Sequence, residues 1–149
     1  MRRAIVMAAA AALLACSDGG PSSERFFAVL SGGNEVPPSV SAASGTTTFT
    51  VSGSTLNYAV VVQSITDVTT VQLDSGAAGD VGPVLATLYS GPTTGAIAYG
   101  TLVAGSLAQA QVSVPMDSLL SWMRRSRVYV NILTTSQPAG EIRGQVTPN

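Results

Sequence analysis

Histidine is absent from the 149 residues, and cysteine occurs once, at Cys16. The first absence removes the usual acid/base group at physiological pH and the commonest metal ligand. A serine or cysteine nucleophile would have no imidazole base to draw on. The single cysteine rules out an intrachain disulfide framework. Charge is scarce, at 10% of the chain, and aromatics make up 5%. The formal net charge is −1, and without Arg2 and Arg3 it is −3. Beyond those two residues, the basic side chains cluster only at Arg124, Arg125 and Arg127. A nucleic-acid binder carries a basic face, so no nucleic-acid partner is expected. The arginine trio reads either as an anion or partner site or, more simply, as a solvated helix end favourable to the helix dipole. What is abundant is Thr, Ser, Val and Gly, within a chain that is 46% hydrophobic. That composition is too apolar and too weakly charged for disorder. It favours strands and turns, and the length suits one domain.

Residues 1–15 read as an address. Arg2 and Arg3 precede an uncharged, mostly apolar run from Ala4 to Ala15. About a dozen residues is too short for a spanning helix, which needs ~20. The run ends in Leu13-Leu14-Ala15-Cys16. This resembles the bacterial lipoprotein signal, in which a small residue precedes an invariant cysteine. The resemblance implies cleavage before Cys16, diacylglycerol on its thiol and an acylated amine. Several acyl chains give lasting attachment where one gives marginal binding. Ser17 in place of Asp is compatible with the outer membrane if the cell is Gram-negative. Residues 16–23, containing Asp18-Gly19-Gly20-Pro21-Ser22-Ser23, are then a lipidated flexible tether, and the globular domain spans 24–149.

The domain reads as strands in series. Val128 to Thr134 alternates Val128, Val130 and Ile132 against Tyr129, Asn131 and Leu133. A turn at Gln137-Pro138-Ala139-Gly140 leads to a second strand, Glu141 to Thr147, so the two form a hairpin. Upstream, strands are expected over Glu24–Ser31, Gly45–Val51, Leu56–Gln63, Asp67–Asp74, Pro83–Tyr89 and Ala96–Val103, with a short one at Gln109–Val114. Ser75 to Gly82 is a glycine-rich loop with no lysine after its glycines, unlike a phosphate-binding loop. Pro115 to Arg125 is the one helix, with Leu119, Leu120 and Met123 facing the core. Seven to nine strands with turns between them indicate an all-β sandwich with a short helical crossover.

Four pieces of the chain resemble the CHRD domain. They are Phe27-Ala28-Val29-Leu30-Ser31-Gly32-Gly33-Asn34-Glu35-Val36-Pro37-Pro38; Gly45 with the β run behind it; Gly76-Ala77-Ala78-Gly79-Asp80-Val81-Gly82-Pro83-Val84; and Tyr129-Val130-Asn131 with Pro138-Ala139-Gly140-Glu141-Ile142-Arg143-Gly144-Gln145-Val146. The resemblance covers residues 26–147. It implies an extracytoplasmic immunoglobulin-like antiparallel β-sandwich, similar in build to the superoxide dismutase barrel. Many CHRD members carry a His-x-His pair before the glycine loop and a third histidine after Tyr-Val-Asn-x. Here those places hold Gln72, Asp74 and Leu133. Leucine cannot ligate and glutamine is a poor transition-metal ligand, so a His-based site is expected to be lost and no cofactor is expected.

Other carboxylates offer weaker patterns. Asp74 and Asp80 flank the glycine loop and, with Gln72 and loop carbonyls, would offer oxygens to Ca²⁺, which wants six to eight. Glu35, Glu141 and Arg143 read either as a recognition patch or, more simply, as an ion pair or hydrogen-bonded loop clamp. No spacing supports a paired-carboxylate hydrolase built from Asp67, Asp74 or Glu141. The functional expectation is a lipid-anchored, non-catalytic binding or structural module of the cell envelope. It would touch the membrane through Cys16 and engage a protein or polysaccharide. The alternative class is a metal-binding redox protein akin to superoxide dismutase.

Overall fold

The computed structural model describes residues 23–149. The signal-like segment, Cys16 and the tether up to Ser22 lie outside the described residues. Nine strands and one helix follow in order: β1 Arg25–Ser31, β2 Ser44–Ser52, β3 Thr55–Thr66, β4 Val68–Ser75, β5 Val84–Ser90, β6 Ala96–Leu107, α1 Met116–Arg124, β7 Val128–Thr134, β8 Ile142–Gln145 and β9 Thr147–Pro148. All pairings are antiparallel, in the spatial order β5-β4-β7-β8-β1-β2-β3-β6, with β9 beside β1. The sheet rolls over one core into a nearly closed sandwich, as the all-β expectation held.

Period-2 patterning explains the inward faces. Phe26, Ala28 and Leu30 of β1, Leu56, Val60 and Val62 of β3, and Val71 and Leu73 of β4 are buried. So are Val128, Val130 and Ile132 of β7. Each of these side chains larger than alanine contributes roughly 1.5–3 kcal/mol of transfer free energy. Helix α1 adds Leu119, Leu120 and Met123 from one face, with Trp122 half-buried beside them. Tyr58 reaches from β3 across to β5, where its hydroxyl donates to Leu88 O at 3.0 Å. The sheet is open between its end strands, β5 and β6.

Two local expectations change. Gln109–Val114 is not a strand. Gln111 Oε1 accepts from the Ala108 N–H at 3.0 Å, and the Gln111 N–H donates to Ala108 O, which coils Gln109–Gln111 into a 3₁₀ turn. Only Val112 then bridges to the sheet, at Ala86. The closing strand is also split. β8 pairs with β7, from Ile132↔Ile142 to Tyr129↔Gln145. After Val146 the chain changes partner, and Thr147 pairs with Phe27 of β1.

Strand β7 matters most for the site. Its second face, Tyr129, Asn131 and Leu133, would face water in a plain sandwich. Here Tyr129 and Asn131 are buried and Leu133 is half-buried, because the loops at 32–43 and 76–83 fold over that side.

Candidate functional site

The outer faces of β4, β7 and β8 converge under those two loops. Cross-strand pairing sets the composition: Asp74 lies opposite Tyr129, Gln72 opposite Asn131, and Thr70 opposite Leu133. On the other side of β7, Asn131 lies opposite Arg143 and Tyr129 opposite Gln145. Paired residues on neighbouring strands project to the same face, so Gln72, Asp74, Tyr129, Asn131 and Arg143 form one polar layer. Glu35 enters it from the loop after β1.

A chain of amide and carboxylate contacts runs through the layer. Gln72 Nε2 donates to Asp74 Oδ2 at 3.1 Å. Asn131 Nδ2 lies 3.5 Å from the same oxygen and 3.3 Å from Ala139 O. The Asn131 carbonyl therefore points the other way, towards Glu35. The approach is close: a Cβ on Gly140 would lie 2.6 Å from Asn131 Oδ1 and 2.8 Å from each Glu35 carboxyl oxygen. Gly140 has φ +140°, so a side chain there is excluded twice over.

The layer is dry. Glu35 is 7% exposed, Asp74 2%, Asn131 6% and Arg143 3%. Glu35 Oε1, Asp74 Oδ1 and Asn131 Oδ1 have no hydrogen-bond partner among the described residues. Burial pushes the Glu35 carboxyl up to about 7, against the pull of the Arg143 charge and with a further push from Asp74. Burial also raises Asp74, opposed by its contacts with Gln72 and Asn131. Two buried carboxyls facing one guanidinium are thus eased by partial protonation of Glu35 near neutral pH.

Arg143 does not pair with a carboxylate. Its guanidinium lies 3.7 Å from the centre of the Tyr129 ring and donates to Asp80 O at 2.7 Å and Ala77 O at 3.4 Å. Gln145 Nε2 donates to Gly76 O at 3.0 Å, and the Gly82 N–H donates to Tyr129 Oη at 3.3 Å. Together these side chains clamp the glycine loop onto β7 and β8. The loop-clamp reading of Arg143 is therefore the observed one, and the ion pair with Glu35 or Glu141 does not form. Glu141 stands apart, accepting from Ser41 Oγ at 2.7 Å and Thr134 Oγ1 at 2.6 Å. The Tyr129→Phe variant removes one clamp contact. It is expected to lose about 0.5–1.5 kcal/mol, read as a lower denaturant midpoint with unchanged slope. An unaltered midpoint would mean that the hydroxyl holds nothing.

The Asp74–Asp80 calcium pairing is not assembled. Asp80 is exposed and its Oδ2 accepts from the Ala77 N–H, a turn within its own loop, whereas Asp74 is buried in the layer. Among the described residues no group of three or more His, Cys, Asp or Glu side chains is placed to hold a metal ion. Gln72 and Asp74 do share a strand face, with Leu133 further along the same side. Their chemistry does not fit a transition metal: the amide is bonded to the carboxylate and Leu133 offers no donor. Asn131 and Gly140 were not singled out as site residues by sequence. Asn131 follows the strand alternation, and nothing local signals that a loop will cover it.

A family model described as the CHRD domain matches residues 26–146. The chain belongs to the CHRD family. The matched region starts in β1 and ends just beyond β8, so it contains the whole polar layer and both loops over it. In this CHRD domain the opening Gly32–Pro38 segment, the glycine loop and the closing hairpin meet around Glu35, Asp74, Asn131 and Arg143. No curated protein and no solved structure matches the chain.

Proposed function

We propose that this CHRD domain is a lipid-anchored, non-catalytic module of the bacterial cell envelope, held at a membrane through Cys16 and serving to bind or to support a protein or polysaccharide. The observation that carries the non-catalytic reading is the use made of the polar layer. Its Arg143, Asn131 and Tyr129, with the neighbouring Gln145, are spent on holding loops in place, and its carboxyls are buried beneath them. An acid or base catalyst must reach a substrate proton; Asp74 is 2% exposed and Glu35 7%. The anchor reading is supported by Leu13-Leu14-Ala15-Cys16, in which the only cysteine occupies the position the lipoprotein signal requires.

Cys16→Ser tests the anchor. The unaltered chain is expected to fractionate with membranes and to incorporate labelled fatty acid, and the variant to do neither. A variant that still pellets with membranes sinks the lipoprotein reading. The rival metal-redox reading is tested by thermal unfolding with Cu²⁺, Zn²⁺ and Ca²⁺. A ligand that binds only the folded state raises the midpoint. A clear rise with Cu²⁺ or Zn²⁺ would favour the rival.

A further inference from the structure

The domain from Glu24 onward carries five arginines against seven acids, yet its exposed positive charge is gathered at one end. Arg143 is buried. The other four, Arg25, Arg124, Arg125 and Arg127, are exposed. Three lie at the C-terminal end of α1 and the fourth follows Glu24. Glu24 is itself fixed there: Arg124 Nε and Nη2 donate to its two carboxyl oxygens at 2.6 and 2.7 Å. Among the described residues this is the only ion pair, so Arg125 and Arg127 have no carboxylate partner within them. Arg125 is steadied by Ser121 Oγ. With Trp122, Ser75 and Gly76, Arg125 and Arg127 line a depression of about 440 Å³ that no acid enters.

From these placements we infer that the Trp122–Arg125–Arg127 depression docks onto the anionic phospholipid headgroups of the bilayer to which the chain is tethered. The inference rests on the anchor reading above. Glu24 is eight residues beyond Cys16, which allows at most roughly 28 Å of extended chain. The ion pair with Arg124 therefore holds the arginine end of the fold within that distance of the lipid. Guanidinium groups match phosphate oxygens in bidentate fashion. A tryptophan at the rim suits the headgroup level, where an amphipathic ring is most stable. A domain that is negative overall but positive on its membrane side is also oriented by an anionic surface.

Trp122 is the only tryptophan, so its fluorescence reports the site directly. The full chain is mixed with vesicles of phosphatidylcholine alone, or with added phosphatidylglycerol, and followed by flotation and by Trp122 emission with brominated-lipid quenching. The expected result is a blue shift and quenching with the anionic vesicles only, reversed by high salt. Arg125→Gln/Arg127→Gln should weaken the anionic-vesicle response about tenfold or more, and Arg125→Lys/Arg127→Lys, which keeps the charge but not the bidentate fork, should fall between the glutamine variant and the unaltered chain. The same Trp122 response on neutral vesicles, or an undiminished response in the glutamine variant, overturns the proposal. So does an equal response to inorganic phosphate without vesicles, which would make this a free-anion site. Flotation separates the two readings. A chain that ignores neutral vesicles yet binds anionic ones through Arg125 and Arg127 keeps the headgroup site and removes the anchor. A chain that floats with both and shows no Trp122 response keeps the anchor and removes the site.

Discussion

Gly144→Ala is expected to lose about 3–5 kcal/mol of stability, a large fraction of the 5–15 kcal/mol typical of a domain. The cause is the approach of β8 to β1. A Cβ on Gly144 would lie 2.3 Å from Val29 O and 2.7 Å from Val29 C, both backbone atoms. No side-chain rotation relieves such a contact, so the strands must separate. They are joined there by one paired position, Ser31↔Arg143. On the opposite side Gly144 pairs with Val130, whose side chain is fully buried. Moving β8 outward therefore opens the core as well as the seam. Gly53, at the β2–β3 turn, has φ +58° and open space around it. Gly53→Ala is the control: it carries only the backbone cost, about 1 kcal/mol. Chemical denaturation of the two variants checks the difference. A Gly144→Ala midpoint no lower than that of Gly53→Ala would show that the seam is soft.

Glu35→Gln is expected to stabilise the domain above neutral pH and to leave it nearly unchanged below about pH 4.5. The native carboxyl titrates at about 7, against 4.5 without its surroundings. Between those values the folded chain holds a proton that the unfolded chain has released. The folded state binds more protons, so stability falls as pH rises through that window and levels off above it. Asp74 is raised as well and acts in the same direction. The full shift would correspond to roughly 3 kcal/mol. Depressions border Glu35 on both sides, and solvent there screens the charge, so about 1–2 kcal/mol is expected. Glutamine keeps the shape of the protonated acid and removes its titration. Its amide N–H takes the place of the protonated acid's O–H as a donor in a neighbourhood where Asp74 Oδ1 and Asn131 Oδ1 are unpaired. Midpoints measured from pH 4 to pH 9 should converge for the two proteins at the acid end and diverge at the alkaline end. Parallel curves would mean that Glu35 is ionised in the native state.

The strands were legible wherever local chemistry agreed with the final packing. Val128–Thr134 alternates cleanly, and Pro138 with Gly140 supplies the turn that joins it to β8. Leu119, Leu120 and Met123 announce the buried face of α1. The polar layer was legible in its members but not in its burial. Gln72, Asp74 and Asn131 occupy the alternate positions that face water in a half-buried strand, and Glu35 sits in a loop, where exposure is the rule. Their burial follows from long-range approaches. Gly32 packs against the Ser39 carbonyl, where a Cβ would lie at 2.7 Å, and Gly140 admits the Glu35 carboxyl. Close approaches of that kind depend on tertiary geometry, to which strand periodicity is blind. Gln109–Val114 failed for the opposite reason: a local side-chain bond from Gln111 won over strand pairing.

The strand order also has a consequence for the time course of folding. β1, near the start of the domain, has β8 and β9 beside it, through Ser31↔Arg143 and Phe27↔Thr147. These partners are more than a hundred residues apart, so closing the sheet carries a large loop entropy and is slow. As the chain is synthesised, β1 through β3 can zip into a meander, but the seam stays open until residues 142–148 emerge. The domain therefore completes its core only after its last strands are free, the behaviour required of a polypeptide threaded through a narrow channel before it folds.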